Sequence, residues 1–72
     1  MIALYSQVEI VAVERPAEGK FVGVVGYVIE SYDDNAYEVE VSDENGNTVA
    51  QFVALEREML VLPEGGVAEG SE

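Results

Sequence analysis

Three runs of strand-forming residues lie so close together in the chain that only a β-meander connects them easily. The runs cover residues 21–32, 37–41 and 48–55, and they are rich in valine and aromatic residues. The first turn, at residues 33–36, consists mostly of aspartate and asparagine, and the second, at residues 43–47, contains an Asn-Gly pair that tolerates positive φ at both positions. Short turns of this kind join antiparallel neighbours, so the sequence predicts an antiparallel sheet.

Two further strands are predicted at the ends of this meander. The first covers residues 4–13 and ends before Pro16, whose ring nitrogen cannot donate to a strand ladder. The last covers residues 60–62. It follows residues 56–58, which are enough for one helical turn and are predicted to form a 3-10 turn.

These elements predict an all-β fold, a small five-stranded SH3-like barrel with one short 3-10 turn. Gly23 and Gly26 interrupt the long second strand, and glycine inside a strand is typical of a bulge or a sharp bend. An OB-like barrel is the alternative. The barrel is predicted to cover residues 1–62, and residues 63–72, which are glycine, small residues and glutamate, are predicted to form a disordered acidic tail.

The composition limits the function. The chain has 15 acidic and three basic residues, a net charge of −12, and neither histidine nor cysteine. We therefore expect no enzyme, no cofactor, no metal, no nucleic-acid partner and no membrane partner, and we expect a basic protein as the natural complement. Residues 1–4 lack the basic start and the long apolar run of a signal peptide, which predicts a cytoplasmic protein.

Strand parity sorts the central side chains into two faces. The predicted core face contains Val28, Tyr32, Tyr37, Val39, Val41, Thr48, Ala50 and Phe52. The predicted outer face mixes apolar and acidic residues, and contains Tyr27, Ile29, Ser31, Glu38, Glu40, Val49, Gln51 and Val53. This assignment requires Tyr32 to lie opposite Tyr37 across the first turn.

Glu30 is the residue that conflicts with this scheme, because parity places its carboxylate on the core side, opposite Val39. Either Glu30 lies at the rim of the barrel, which we favour, or a bulge turns it outward. A carboxylate fully buried beside Arg57 or Lys20 would be the first functional lead in the chain. The acidic pairs at residues 33–34 and 43–44 are interpreted as solvated turns, because neither has the spacing of a calcium loop.

The central hairpin also carries a resemblance to a known family. Residues 23–41, GVVGYVIESYDDNAYEVEV, followed by Asp43-Glu44-Asn45-Gly46, resemble a family of small uncharacterised bacterial proteins, a domain of unknown function with an SH3-like fold. The likeness covers the run from Val8 to Leu62, and departs from the family at residues 50–54, which are one residue longer. It implies an SH3-like fold and a protein that accompanies a partner in the manner of an antitoxin.

The functional hypothesis is a non-enzymatic module that binds a basic protein, with an antitoxin or immunity protein against a nuclease-like partner as the concrete case. Acids on the outer face would steer the partner, and apolar residues among them would hold it. The predicted partner-binding residues are Tyr27, Ile29, Asp33, Asp34, Glu38, Glu40 and Val49. The alternative is a structural protein that forms a homodimer through the same face.

Overall fold

The computed structural model describes residues 1–63 and places five antiparallel strands in one sheet. The strands are β1 (Gln7–Ile10), β2 (Val25–Tyr32), β3 (Ala36–Ser42), β4 (Thr48–Leu55) and β5 (Met59–Val61), and a 3-10 turn at Glu56–Glu58 separates β4 from β5. The order across the sheet is β4-β3-β2-β1-β5. The all-β class, the five strands and the 3-10 turn before the last strand are confirmed. The predicted acidic tail from residue 64 onward lies outside the described residues.

The first strand is shorter in the structure than predicted, because the chain turns at both ends of β1, whereas β5 keeps its predicted length of three residues and begins one residue earlier. Tyr5 has a φ of 70°, which takes the chain out of strand geometry before β1 begins. After β1, the amides of Val11 and Ala12 both donate to the carbonyl of Glu58 instead of to a neighbouring strand. The long second run begins its strand four residues late, since Gly23 has a φ of 99°.

The core lies on one face of the sheet. Its fully or nearly fully buried apolar residues are Ile2, Val8, Ile10, Val28, Tyr37, Val39, Phe52, Ala54 and Met59. The Tyr37 hydroxyl stays hydrogen-bonded inside this core, because it accepts from the amide of Ile2 at 3.0 Å. The predicted burial of Val28, Tyr37, Val39 and Phe52 is therefore confirmed, and Val41 and Ala50 pack against the core half-buried.

A bulge at Ile29 changes the orientation of the second half of β2. Val28 lies opposite Val39, but Glu30 lies opposite Glu38, so Ile29 is an extra residue in the ladder. The bulge turns Glu30 outward, and this alternative, not the favoured rim position, is the correct one. The prediction that Tyr32 belongs to the core is wrong for the same reason, since its side chain is 49% exposed and its partner is Ala36.

A second bulge lies where β4 begins. Val41 pairs with Ala50 and Ser42 pairs with Thr48, which leaves Val49 as the extra residue. Thr48 is consequently exposed, and its predicted place in the core is wrong. Its hydroxyl donates instead to the carboxylate of Glu40 on the outer side of the sheet.

The predicted hairpin turn at residues 43–47 is present, with a local geometry of its own. Only Gly46 of the Asn-Gly pair has a positive φ, of 86°. The Asp43 carboxylate accepts from the amides of Asn45 and Asn47, both at 2.9 Å. The hydrogen bond from the Asn47 amide is the main reason that the pKa of Asp43 lies below its ordinary value. This carboxylate therefore closes a turn, as the sequence indicated.

Gly26 is required by a close approach between β2 and β3, and its replacement should be costly. An added Cβ would lie 2.7 Å from the carbonyl oxygen of Glu40 and 2.8 Å from the Cγ1 atom of Val39. We expect Gly26→Ala to lower the free energy of unfolding by about 1–3 kcal/mol, as overpacking usually does. Urea denaturation measures the change, and Ser31→Ala, at an exposed site on the same strand, serves as the control. Equal midpoints for the two variants would contradict the close approach.

Candidate functional site

Four carboxylates gather on the outer side of the sheet. Tyr27 of β2, which is 47% exposed, lies opposite Glu40 of β3, and Glu30 lies opposite Glu38 one step further along the same two strands. Glu9 of β1 lies on the same side of the sheet, two residues after Gln7, which pairs with Tyr27. We call this surface the acidic face, defined by Glu9, Glu30, Glu38, Glu40 and Tyr27.

The acidic face contains a pair of like charges that costs stability. Glu30 and Glu38 are directly opposite each other, and like charges at such positions are destabilising. The Tyr32 hydroxyl donates to Glu38 Oε1 at 2.9 Å, which partly compensates that carboxylate. This hydrogen bond is also the main reason that the pKa of Tyr32 is raised above its ordinary value. The acidic face therefore contains a destabilising pair of like charges that this hydrogen bond compensates only in part.

The structure brings together only part of the predicted partner-binding set. Tyr27, Glu38 and Glu40 lie on the acidic face, with Ile29 half-buried in the adjoining bulge. The others lie elsewhere: Val49 is exposed in the second bulge, and Asp33 and Asp34 lie in the turn between β2 and β3. Within residues 1–63 no three acidic side chains are arranged to hold a metal ion.

A buried ion pair lies on the other part of the molecule. The Lys20 ammonium donates to Glu58 Oε1 at 3.0 Å, and the two side chains are 4% and 0% exposed. Glu58 Oε1 also accepts from the amide of Leu55 at 2.8 Å, and Glu58 Oε2 accepts from the amide of Glu14 at 2.6 Å. Each carboxylate oxygen therefore has a donor, which is the condition for burying a charge without prohibitive cost.

The ion pair covers the open edge of β4. β4 is the last strand on its side of the sheet, so the backbone groups on its outer edge have no strand partner. The carbonyl of Val53 accepts from Lys20 Nζ at 2.9 Å, and the amide of Leu55 donates to Glu58. Lys20 thus donates to one backbone carbonyl that has no strand partner, and Glu58 accepts from one backbone amide that has none. This arrangement protects the edge at two positions where a further strand could otherwise add.

The pKa of Glu58 reflects this environment. Burial by itself would raise the pKa of the carboxyl, but the hydrogen bonds from the Glu14 and Leu55 amides and from Lys20 outweigh it, so the pKa lies below its ordinary value of 4.5. Glu58 is therefore ionised in the folded protein at neutral pH.

A cleft of about 500 Å³ opens above this ion pair. Its lining residues are Arg15, Pro16, Ala17, Lys20, Asp34, Val53, Leu55, Arg57 and Glu58. The three basic residues of the whole chain, Arg15, Lys20 and Arg57, all belong to that lining. We call this feature the basic cleft. At its margin the Arg57 guanidinium donates to both carboxylate oxygens of Glu14, from Nε at 2.5 Å and from Nη2 at 2.8 Å.

Comparison with models of known protein families assigns the chain to a family. Residues 4–61 match the model of a family described as "Domain of unknown function (DUF4926)". That match covers well over half of the chain and includes the acidic face, the ion pair and nearly all of its surroundings. The chain belongs to the DUF4926 family. No curated protein and no solved structure matches this DUF4926 member. No helix within its described residues is long and apolar enough to cross a membrane.

The buried ion pair of this DUF4926 domain was missed from sequence. Glu30 was the carboxylate considered for burial beside Lys20 or Arg57, whereas the carboxylate buried beside Lys20 is Glu58. Lys20 and Glu58 are separated by 38 residues and lie in a loop and a 3-10 turn, where no periodicity reports burial. The close approach of Gly19 to Ala50 of β4, which leaves no room for a Cβ atom beside Lys20, is visible only in the structure, so no sequence signal marked the pair.

Proposed function

We propose that this protein is a non-enzymatic binding module whose acidic face binds a basic protein partner. The observation that carries the proposal is the position of the exposed Tyr27 among Glu9, Glu30, Glu38 and Glu40 on the outer side of the sheet. A cationic side chain from a partner would relieve the repulsion between Glu30 and Glu38, so binding recovers energy that the free protein lacks.

The charge of the whole chain supports the same function. A net charge of −12 accelerates encounter with a basic protein and repels nucleic acid and anionic membranes. Tyr27 supplies a large amphipathic contact within the acids, which is typical of residues that dominate binding energy. The concrete case is a bacterial, cytoplasmic antitoxin or immunity protein on an SH3-like barrel, with a nuclease-like partner. The family resemblance noted from the sequence supports this case.

Charge reversal on the acidic face should slow association with the partner. The partner is first captured from the native host with the parent protein and identified by mass spectrometry, and its binding is then measured by surface plasmon resonance. We expect Glu38→Lys with Glu40→Lys to reduce the association rate at least about tenfold, because steering depends on local potential. Circular dichroism verifies that the variant is folded.

The matched control is Glu18→Lys with Glu44→Lys, which changes the net charge equally at exposed sites in two loops. Equal slowing by both variants would show that total charge alone acts, and would contradict a role for the acidic face. Tyr27→Ala should mainly raise the dissociation rate, since it removes desolvated contact. Size-exclusion chromatography of the protein alone tests the homodimer alternative, because a dimer joined through this face should tighten as salt screens the repulsion.

A further inference from the structure

The basic side chains of this molecule are concentrated at one place. The chain has three basic side chains among 15 acidic ones, and all three line the basic cleft. Two of them are neutralised by acids, Lys20 by Glu58 and Arg57 by Glu14. Arg15, by contrast, makes no ion pair with an acid among residues 1–63. Asp34 also lines the cleft and makes no ion pair among these residues. The cleft thus offers an anion the guanidinium of Arg15, which no carboxylate engages in an ion pair, beside one carboxylate that is itself unpaired.

The guanidinium groups that line the cleft have some donors that are hydrogen-bonded and others that are not. Arg57 donates to Glu14 through Nε and Nη2, which fixes the plane of its guanidinium and leaves Nη1 without a partner among residues 1–63. The guanidinium of Arg15 makes no ion pair within residues 1–63, so no acid there occupies its donors. A guanidinium presents its donors as a planar fork, which matches the two oxygens of a carboxylate.

The remaining lining of the basic cleft is suited to an apolar group. Pro16, Val53 and Leu55 contribute carbon surface beside the charged residues, and Val53 is exposed on the β4 side. A volume of about 500 Å³ lies within the range of small-molecule sites. The net charge of −12 opposes the approach of multiply charged anions at long range, and it opposes a monoanion least.

We propose that the basic cleft binds a small monocarboxylate that carries an apolar body. The carboxylate lies against the guanidinium of Arg15, with Arg57 Nη1 as a further donor. The apolar body packs against Pro16, Val53 and Leu55. The Lys20–Glu58 ion pair forms the floor and takes no part in recognition, because its groups are already hydrogen-bonded to each other and to the backbone. This site is separate from the acidic face and does not depend on the function proposed for it.

Titration with benzoate, followed by ¹H–¹⁵N NMR of the intact chain, tests the proposal. We expect saturable shifts at Ala17, Lys20 and Leu55 and at the Arg57 side chain. Benzamide, a neutral analogue of the same shape, should bind at least about tenfold more weakly, because it lacks the charge that Arg15 recognises. Inorganic phosphate should also bind more weakly than benzoate, since it is partly dianionic and has no apolar body.

Substitution of Arg15 separates recognition from stability. Arg15 is exposed, so Arg15→Gln should leave the melting temperature unchanged and weaken benzoate binding at least about tenfold. Glu18→Gln, an exposed change in the same loop, is the control and should not weaken binding. Unchanged affinity in Arg15→Gln, equal binding of benzoate and benzamide, tighter binding of phosphate, or shifts confined to the acidic face would each overturn the proposal.

Discussion

Glu58→Gln should lower the free energy of unfolding by about 3–5 kcal/mol, the usual cost of removing one partner from a buried ion pair. The substitution leaves the ammonium of Lys20, which is 4% exposed, without its counter-charge. It also places the NH2 group of the glutamine side chain against the backbone N–H of Glu14, so that two donors face each other. A domain of 72 residues has a stability of roughly 4–11 kcal/mol, so much of it is at stake. Urea denaturation measures the loss.

The exposed ion pair between Arg57 and Glu14 provides the matched control. Glu14→Gln removes a carboxylate that also pairs with a cation, but in contact with solvent, and should cost much less than Glu58→Gln. Lys20→Met combined with Glu58→Gln should cost less than the sum of the two single variants, because each single variant orphans the other charge. Equal losses in Glu58→Gln and Glu14→Gln would contradict the burial of the pair.

The pH dependence of stability is an independent test of the Lys20–Glu58 ion pair. The pKa of Glu58 is lower in the folded protein than its ordinary value of 4.5, so the unfolded chain takes up a proton first as the pH falls. The stabilisation from Glu58 is therefore complete above about pH 4.5 and is lost as the pH falls through the folded pKa. Glu58→Gln should remove this part of the acid destabilisation.

Phe52→Ala should lower the free energy of unfolding by about 3–5 kcal/mol, the range measured for removing a buried phenylalanine ring. Phe52 is 4% exposed and lies opposite Val39 in the centre of the core face. Removal of the ring leaves a cavity that the short strands around it cannot close completely. Thermal and urea denaturation measure the loss, and Phe52→Leu, which should lose less, keeps the measurement possible if the alanine variant does not fold.

Phe21→Ala removes the same side chain from an exposed position and serves as the control. Phe21 is 63% exposed and lies outside every strand, so its removal should change stability by no more than about 0.5 kcal/mol. If Phe52→Ala and Phe21→Ala unfolded at the same temperature, the assignment of Phe52 to the core would be wrong.

The sequence alone determined the local elements of this protein. β4 and the 3-10 turn have the predicted bounds, because a valine-rich run followed by three charged residues defines both within a short window. The hairpin at residues 43–47 was also predictable, since asparagine and glycine specify a turn without reference to the rest of the chain. The charge that supports the proposed partner is likewise a property of composition.

The tertiary structure decided which way several side chains point and which ones meet. Strand parity predicts faces only while the ladder is unbroken, and the bulges at Ile29 and Val49 reversed the assignments of Tyr32 and Thr48. The position of a bulge depends on how two strands fit together, so neither strand specifies it by itself. The Lys20–Glu58 pair and the basic cleft depend on the same kind of information, because they form only when the loop between β1 and β2 crosses the edge of β4.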